Sequence, residues 1–370
     1  MKFAKFAIIV FLAMFFALFL ILPVYTVAAE GLRIEYLVEI VKNPIYREGI
    51  FNAFAIALVS TILVSLISIP LAFLNDSFDF KGKFLATPLL LIPMILPPFV
   101  GAIGFAQIFG RFGALNSALT SLGLVAFGRG PDWLGGEGRF FAVCVVEALH
   151  LYPIMYLNVL AAFANVDPSL EEAARNLGCG RMKRFISITV PMIRPGIFAG
   201  ASIVFIWSFT ELGTPLMLGF NRVTTVQIFN GITELETNPI PYALVVILLI
   251  VACGLYSISR FAFGRNSDAI SAKGMTRARS RKISGFSASL VLVSFIVVAA
   301  VAALPHFGIL MLSFSGDWYG TILPSSYTIE HYREALSHAL VVPGIMNSLR
   351  FSLLAMFLSV AAGLIVSLMI

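Results

Sequence analysis

Charge is scarce in this chain. Asp, Glu, Lys and Arg make up 12% of its 370 residues, about half the share found in average soluble proteins, which excludes an ordinary water-soluble enzyme. Cysteine is scarce too. Cys144, Cys179 and Cys253 lie far apart, with no CxxC spacing and no histidine at ligand spacing, so neither a disulfide framework nor a metal site is expected. The sequence also lacks a GxxxxGK[ST] phosphate loop, an HExxH pair and a GxSxG elbow. ATP hydrolysis must therefore belong to another chain, and an intramembrane protease or lipid hydrolase is disfavoured. No catalytic residue, cofactor or metal is expected.

Hydrophobic residues are abundant, at 59% with 34 Phe, and the mean hydropathy is +0.96. Eight apolar runs have spanning length, at about 6–28, 50–74, 84–108, 140–164, 195–218, 241–263, 285–313 and 346–370. The expected class is an all-α polytopic membrane protein in the cell membrane, with the lipid bilayer as its medium. Placing the N-terminus in the cytoplasm puts Lys81, Lys83, Arg175, Arg181, Lys183, Arg184, Arg194 and the cluster from Arg260 to Lys282 inside. That is the asymmetry expected of cytoplasmic loops. It also accounts for the net charge of +6 without nucleic acid. A secretory signal competes for the first run, since Val27-Ala28-Ala29 looks like a cleavage site, but the apolar stretch Phe6 to Val24 is longer than a secretory core. A retained helix is the better reading.

One ungapped displacement superposes Ile34-Glu35 on Ile329-Glu330, Glu39 on Glu334, Gly49-Ile50 on Gly344-Ile345 and Asn52 on Asn347. Polar residues in register before an apolar run point to a parallel duplication rather than an inverted one. The expected organisation is a first helix and outer segment at 1–48, a core at 49–263 and a basic linker at 264–284. Residues 285–370 then begin a second, incomplete half. The sequence stops inside an apolar run at Ser367–Ile370, so a longer polypeptide is expected.

The inside loop at 167–195 is the most informative stretch. Asp167 or Ser169 can cap a helix, Pro168 suits its first turn, and Glu172 stands three residues after Ser169 as in a capping box. Gly178 and Gly180 would end it. Met182–Val190 reads as amphipathic, closed by Pro191 and Pro195 before the fifth span. Within this loop Glu172-Ala173-Ala174, Gly178, Ile188 and Val190-Pro191 stand at the spacing of the EAA loop. The loop resembles that of the inner-membrane permeases of binding-protein-dependent ABC importers, with Val190 where the family usually has Leu. Leu89–Gly101 and Trp207–Pro215 extend the resemblance toward the fused, two-half permeases of the iron(III) group. It implies a type I importer permease fold, here one complete six-helix half plus two helices of a second. It implies that Glu172, Ala173, Ala174, Gly178, Ile188 and Pro191 couple to cytoplasmic ABC ATPase subunits, and that an extracytoplasmic solute-binding protein delivers cargo, iron(III) or another small solute. A second permease half or copy would complete the pore.

Polar residues within spans are costly and usually face protein or water. Gln107, Glu147, His150 and Glu211, the last placed in the fifth helix, are candidates to line a pathway; a hydrogen bond between helices explains each equally well. The glycine-rich segment 110–139 reads as an outer loop that meets a binding protein, or as a re-entrant or mobile one. The competing function is an ion-coupled secondary transporter, for which Glu147 and Glu211 are the acidic candidates; it leaves the EAA spacing unexplained.

Overall fold

The computed structural model describes residues 2–234, 238–263 and 280–369. Helices dominate because a chain in hydrocarbon must pair its own backbone groups. Among the described residues, eight helical rods are long and apolar enough to cross a membrane, which is the number expected. Most of the expected linker, 264–279, lies outside the described residues.

The first rod joins α1 (Lys2–Phe16) through a wide π turn at Ala17–Ile21 to α2 (Leu22–Gly31). Its end presses on a later span, since a Cβ at Gly31 would meet the Tyr242 carbonyl. A short helix, α3 (Ile34–Lys42), leads to Asn43, whose side chain accepts from the Ile45 amide at 3.0 Å. With Pro44 in the first turn, that cap starts α4 (Pro44–Ser77) six residues before the expected 50. At 1.5 Å per residue, this helix is roughly 50 Å long. It ends in a two-residue strand, β1 (Phe78–Asp79).

The third apolar run, at 84–108, is interrupted at its prolines, as Pro93, Pro97 and Pro98 in its middle imply. Helix α5 (Lys83–Leu89) stops, a 3-10 turn covers Ile92–Met94, and α6 (Pro98–Phe109) restarts the path. Pro93, Pro97 and Pro98 supply no amide hydrogen, so the helical ladder cannot cross this stretch. Beyond it, the supposed loop 110–139 is partly built: α7 (Ala114–Ser121) follows, and the Asn116 amide donates to the Arg111 and Pro131 carbonyls while its Oδ1 accepts from Trp133.

The centre of the bundle is α8 (Gly138–Ala164), with most of its length buried. After it come α9 (Pro168–Asn176), α10 (Arg181–Arg184), a π turn at Phe185–Thr189 and α11 (Val190–Thr210). Pro191 and Pro195 do not close a helix before the fifth span, contrary to expectation. The rod runs unbroken from Met182 to Thr210 instead of 195–218. The π turn is the reason: the Val190 amide reaches back to the Phe185 carbonyl, and the widened turn makes room for the proline ring.

Three more α-helices and a strand bring the chain to the seventh span: α12 (Gly213–Met217), α13 (Thr224–Gly231), α14 (Ile240–Phe263) and β2 (Arg281–Lys282). Strand β2 lies parallel to β1, Phe78 opposite Arg281 and Asp79 opposite Lys282. The chain then forms α15 (Phe286–Phe314), a bulged antiparallel pair of β3 (Ser315–Asp317) with β4 (Ser326–Tyr327), α16 (Glu330–Ser337) and α17 (Val341–Met369). The displacement read in the sequence thus carries α3 onto α16 and α4 onto α17. The apolar side chains of α17 are exposed, Phe351 and Leu358 among them.

Two close approaches set the packing. Helix α11 meets α8 through Gly196 and Gly200, where a Cβ would press on Asn158, Ala162 and Met155. Helix α15 meets α6 through Gly104 and Gly308, whose added Cβ atoms would collide with the Pro305 and Gly104 carbonyls. Small residues at such crossings let backbones come near enough for dispersion contacts that lipid cannot provide. Around them one apolar core joins Val64, Leu151, Tyr152, Tyr156, Ile193 and Phe295, and another joins Ile56, Val143, Phe209 and Val226.

Candidate functional site

The 167–195 loop folds into a capped helix standing out from the bundle. Asp167, in extended conformation, is the N-cap of α9, and its Oδ1 accepts from the Ser169 amide at 2.9 Å. Hydrogen bonds from Ser169, backbone first, hold the Asp167 carboxyl below the usual carboxylate range. The capping box of Ser169 with Glu172 is therefore not used. With Asp167 as cap and Pro168 behind it, Ser169 is already inside the helix.

The other end is a Schellman turn. Gly178 takes φ +77°, its amide donates to Arg175 O at 3.0 Å, and the Cys179 amide donates to Ala174 O at 2.9 Å. Gly180 opens the following helix, its carbonyl accepting from the Arg184 amide.

Between these fixed ends, Glu172, Ala173 and Gly178 are exposed and Ala174 is half-buried. Leu170 and Leu177 are also exposed, Leu177 at 88%. Residues 170, 173, 174 and 177 share one helix face, so α9 shows an apolar stripe to water. Sequence reasoning missed Leu170 and Leu177, although their spacing was readable as i, i+3, i+4, i+7. Ile188 is half-buried in the π turn and Pro191 half-buried at the start of α11. Both lie in the base on which α9 stands rather than on its exposed stripe.

The four candidate pathway residues all have hydrogen-bond partners. The buried Glu147 accepts from Ser60 Oγ of α4 at 3.3 Å and from Ser208 Oγ of α11, so one carboxyl joins three helices. His150 meets Pro93 O at 2.9 Å through Nδ1; a carbonyl only accepts, so Nδ1 carries the hydrogen. Tyr152 donates to Leu90 O at 2.7 Å. These two side chains of α8 pair carbonyls freed by the proline break. Gln107 donates to Trp318 O at 2.8 Å, across to the segment after α15.

Glu211 is not in the fifth helix as expected. It lies one residue past the end of α11, where its Oε1 accepts from the Gly213 and Thr214 amides at 3.0 and 3.3 Å and so starts α12. It borders an open cleft of about 390 Å³ with Trp207 and Thr210.

On the side opposite α9, loop and hairpin interlock. Phe112 stacks on Tyr319 at 4.8 Å, and the Gly320 amide donates to Phe112 O. Phe127, Trp133 and Tyr319 stay exposed there.

The chain's sequence and its helical bundle are shared with known proteins. Residues 64–266 match the family described as binding-protein-dependent transport system inner membrane component, and the chain belongs to that family of multi-pass inner-membrane proteins. A protein of Sinorhizobium fredii named "Probable ABC transporter permease protein" is 25% identical over 337 residues, 89% of this chain and 57% of its own length. The chain thus spans little more than half of that relative. The molybdenum transport system permease of Escherichia coli is 30% identical over 200 residues, 52% of this chain and 78% of the relative. A solved bacterial ABC transporter involved in import of the polysaccharide alginate superposes with TM-score 0.57 at 17% identity, covering 72% of this chain and 96% of the matched one. Further relatives are named for ferric, molybdate/tungstate and spermidine/putrescine transport, so likeness does not single out iron(III).

Proposed function

We propose that this chain is the permease subunit of an ATP-driven importer, and that α9 is the element through which a separate ATPase drives it. The observation that carries this is the exposed apolar stripe of Leu170, Ala173 and Leu177 on a helix fixed at both ends, by the Asp167 cap and the Gly178 turn. An apolar stripe in water is unfavourable by itself and favours a partner groove. Glu172, exposed beside the stripe, offers that partner a carboxylate. Family membership supports this reading, as does the complete absence of a phosphate-binding loop from the sequence.

The side carrying α9 is then cytoplasmic, which agrees with the basic residues around it and puts the N-terminus inside. The exposed aromatics Phe127, Trp133 and Tyr319 on the opposite side are where a cargo-loaded binding protein would dock. The cargo is a small solute, with iron(III), molybdate and polyamines the classes to test. Glu211, with Trp207 and Thr210, is the pathway candidate on an open cleft. A second permease half or copy would supply the other wall, opposite the exposed α17.

The test is a mild-detergent pull-down from the native cells, with co-purifying proteins identified by mass spectrometry. An ABC ATPase is expected with the native chain and should be lost with Leu177→Asp and with Gly178→Arg, while insertion is unchanged. A stably inserted native chain that brings down no ATPase, or variants that retain it, would overturn the assignment.

A further inference from the structure

On the α9 side, the end of α4, α5, the end of α8 and β2 enclose a cavity of about 1330 Å³. Its lining carries both signs of charge together with apolar wall. Asp76 and Asp79 bring carboxylates, Arg281 and Lys282 lie on the strand paired with that of Asp79, and Phe84, Pro88 and Leu160 complete the wall. Phe84 is 87% exposed and its neighbour Leu85 69% exposed, so the mouth continues onto an apolar surface.

The polar groups are not equally available. The Lys83 ammonium donates to Asn75 O and Phe78 O, where it satisfies the end of α4. Arg281 and Lys282 are exposed, and no ion pair joins either to an acidic residue among the described residues. Asn75 is 5% exposed; its Nδ2 donates to the Tyr156 hydroxyl, and its Oδ1 has no partner. A buried acceptor left unpaired is unfavourable by an amount comparable to a lost hydrogen bond, and the residue that carries it lines the cavity.

The lining therefore suits a zwitterion with a hydrocarbon chain: a cationic donor beside Asn75 and Asp79, an anion beside Arg281 and Lys282, and the chain beside Phe84 and Leu160. We infer that the cavity seats a phosphatidylethanolamine of the adjoining leaflet, its ammonium toward Asn75 and Asp79 and its phosphate toward Arg281 and Lys282. Phosphatidylglycerol can offer a glycerol hydroxyl to Asn75 but brings no cation to Asp79. Phosphatidylcholine has the same charges but no N–H to give. Because Ala164 of this cavity lies three residues before Asp167, the seated lipid would brace the root of α9. The lipid seat does not depend on the transport reading.

Native mass spectrometry of the full-length chain in detergent tests the inference, with dioleoyl phosphatidylethanolamine, phosphatidylglycerol and phosphatidylcholine titrated separately. Phosphatidylethanolamine should be retained roughly fivefold better than phosphatidylcholine, the size of one net hydrogen bond, and better than phosphatidylglycerol. Asp79→Asn, and Arg281→Ala combined with Lys282→Ala, should each abolish the preference while the detergent melting midpoint stays within a few degrees of native, showing intact fold. Equal retention of phosphatidylethanolamine and phosphatidylcholine would overturn the proposal, and so would preferred phosphatidylglycerol. A preference untouched by both variants would do the same, as would displacement by soluble phosphoethanolamine at equal concentration, since the site would then take a headgroup alone.

Discussion

At the residue scale, the two ends of α9 make separate predictions. The Asp167 carboxylate is held below its ordinary range by Ser169, so the sign is that of a depressed acid. Its contribution is complete above the ordinary carboxylate range and is lost as pH falls through the lowered value. Hydrogen exchange at the Ser169 amide, referenced to intrinsic rates, should thus show protection that is flat near neutrality and falls in acid. Asp167→Ala should remove the pH dependence, and an unchanged profile in that variant would refute the cap. At Gly178 no atom lies within 4 Å of an added Cβ, so Gly178→Ala suffers from φ alone. An L-residue in the left-handed region costs about 1–2 kcal/mol. The segment 173–179 should exchange at least about fivefold faster in Gly178→Ala, with the spans unchanged. Asn at the same position, which tolerates this conformation better, should lie between Gly and Ala.

At the element scale, the crossing of α6 with α15 depends on hydrogen in place of a side chain. A Cβ at Gly104 would collide with Pro305 O and come within 2.9 Å of Ile309 N, whereas one at Gly101 would be 3.8 Å from Pro305 Cβ. Backbone cannot yield as a side-chain tip does, so Gly104→Ala should destabilise by about 1–3 kcal/mol as overpacking does. Gly101→Ala, one turn away, should be close to neutral. Denaturation midpoints of the two variants in one detergent compare them directly, and equal midpoints would show that the helices part without cost. The same scale marks where sequence reading succeeded and where it stopped. Apolar length alone located eight rods, and Asp167-Pro168 with Gly178 framed α9, because caps and left-handed turns are local chemistry. Pro191 misled because a π turn absorbs it, while Pro195 sits within α11 without ending it; that turn is packed from outside the segment by Phe73 against Phe185 at 5.1 Å. Glu211 was misplaced for a related reason: apolar residues continue past it, and only its bonds to the Gly213 and Thr214 amides reveal a new helix start. The partners of Glu147, His150 and Gln107 come from positions 57–211 residues away, beyond the reach of any local pattern.

At the scale of the whole molecule, α15 joins the part of the chain that follows residue 264 to the part before it. It is held at both ends and in the middle. On the α9 side β2 pairs with β1 and the Ile283 amide donates to Asp79 O; at the far side Gln107 bonds Trp318 O and Phe112 stacks on Tyr319. Between them Phe295, Ala299 and Ala302 are buried in the first core, Phe295 edge-on to Phe80 at 5.6 Å. Transmembrane association rests on packing and hydrogen bonds rather than on a covalent link, so these contacts should outlast the peptide connection. Residues 1–270 and 271–370, co-expressed as two chains with a tag on the second, are expected to co-purify in mild detergent. Gly104→Val together with Gly308→Val should separate them, since both substitutions drive α6 and α15 apart where a Cβ already meets backbone. If the unsubstituted fragments fail to co-purify although each inserts, the apparent docking of α15 depends on chain continuity, and its place against α6 is a consequence of tethering rather than of complementary surfaces.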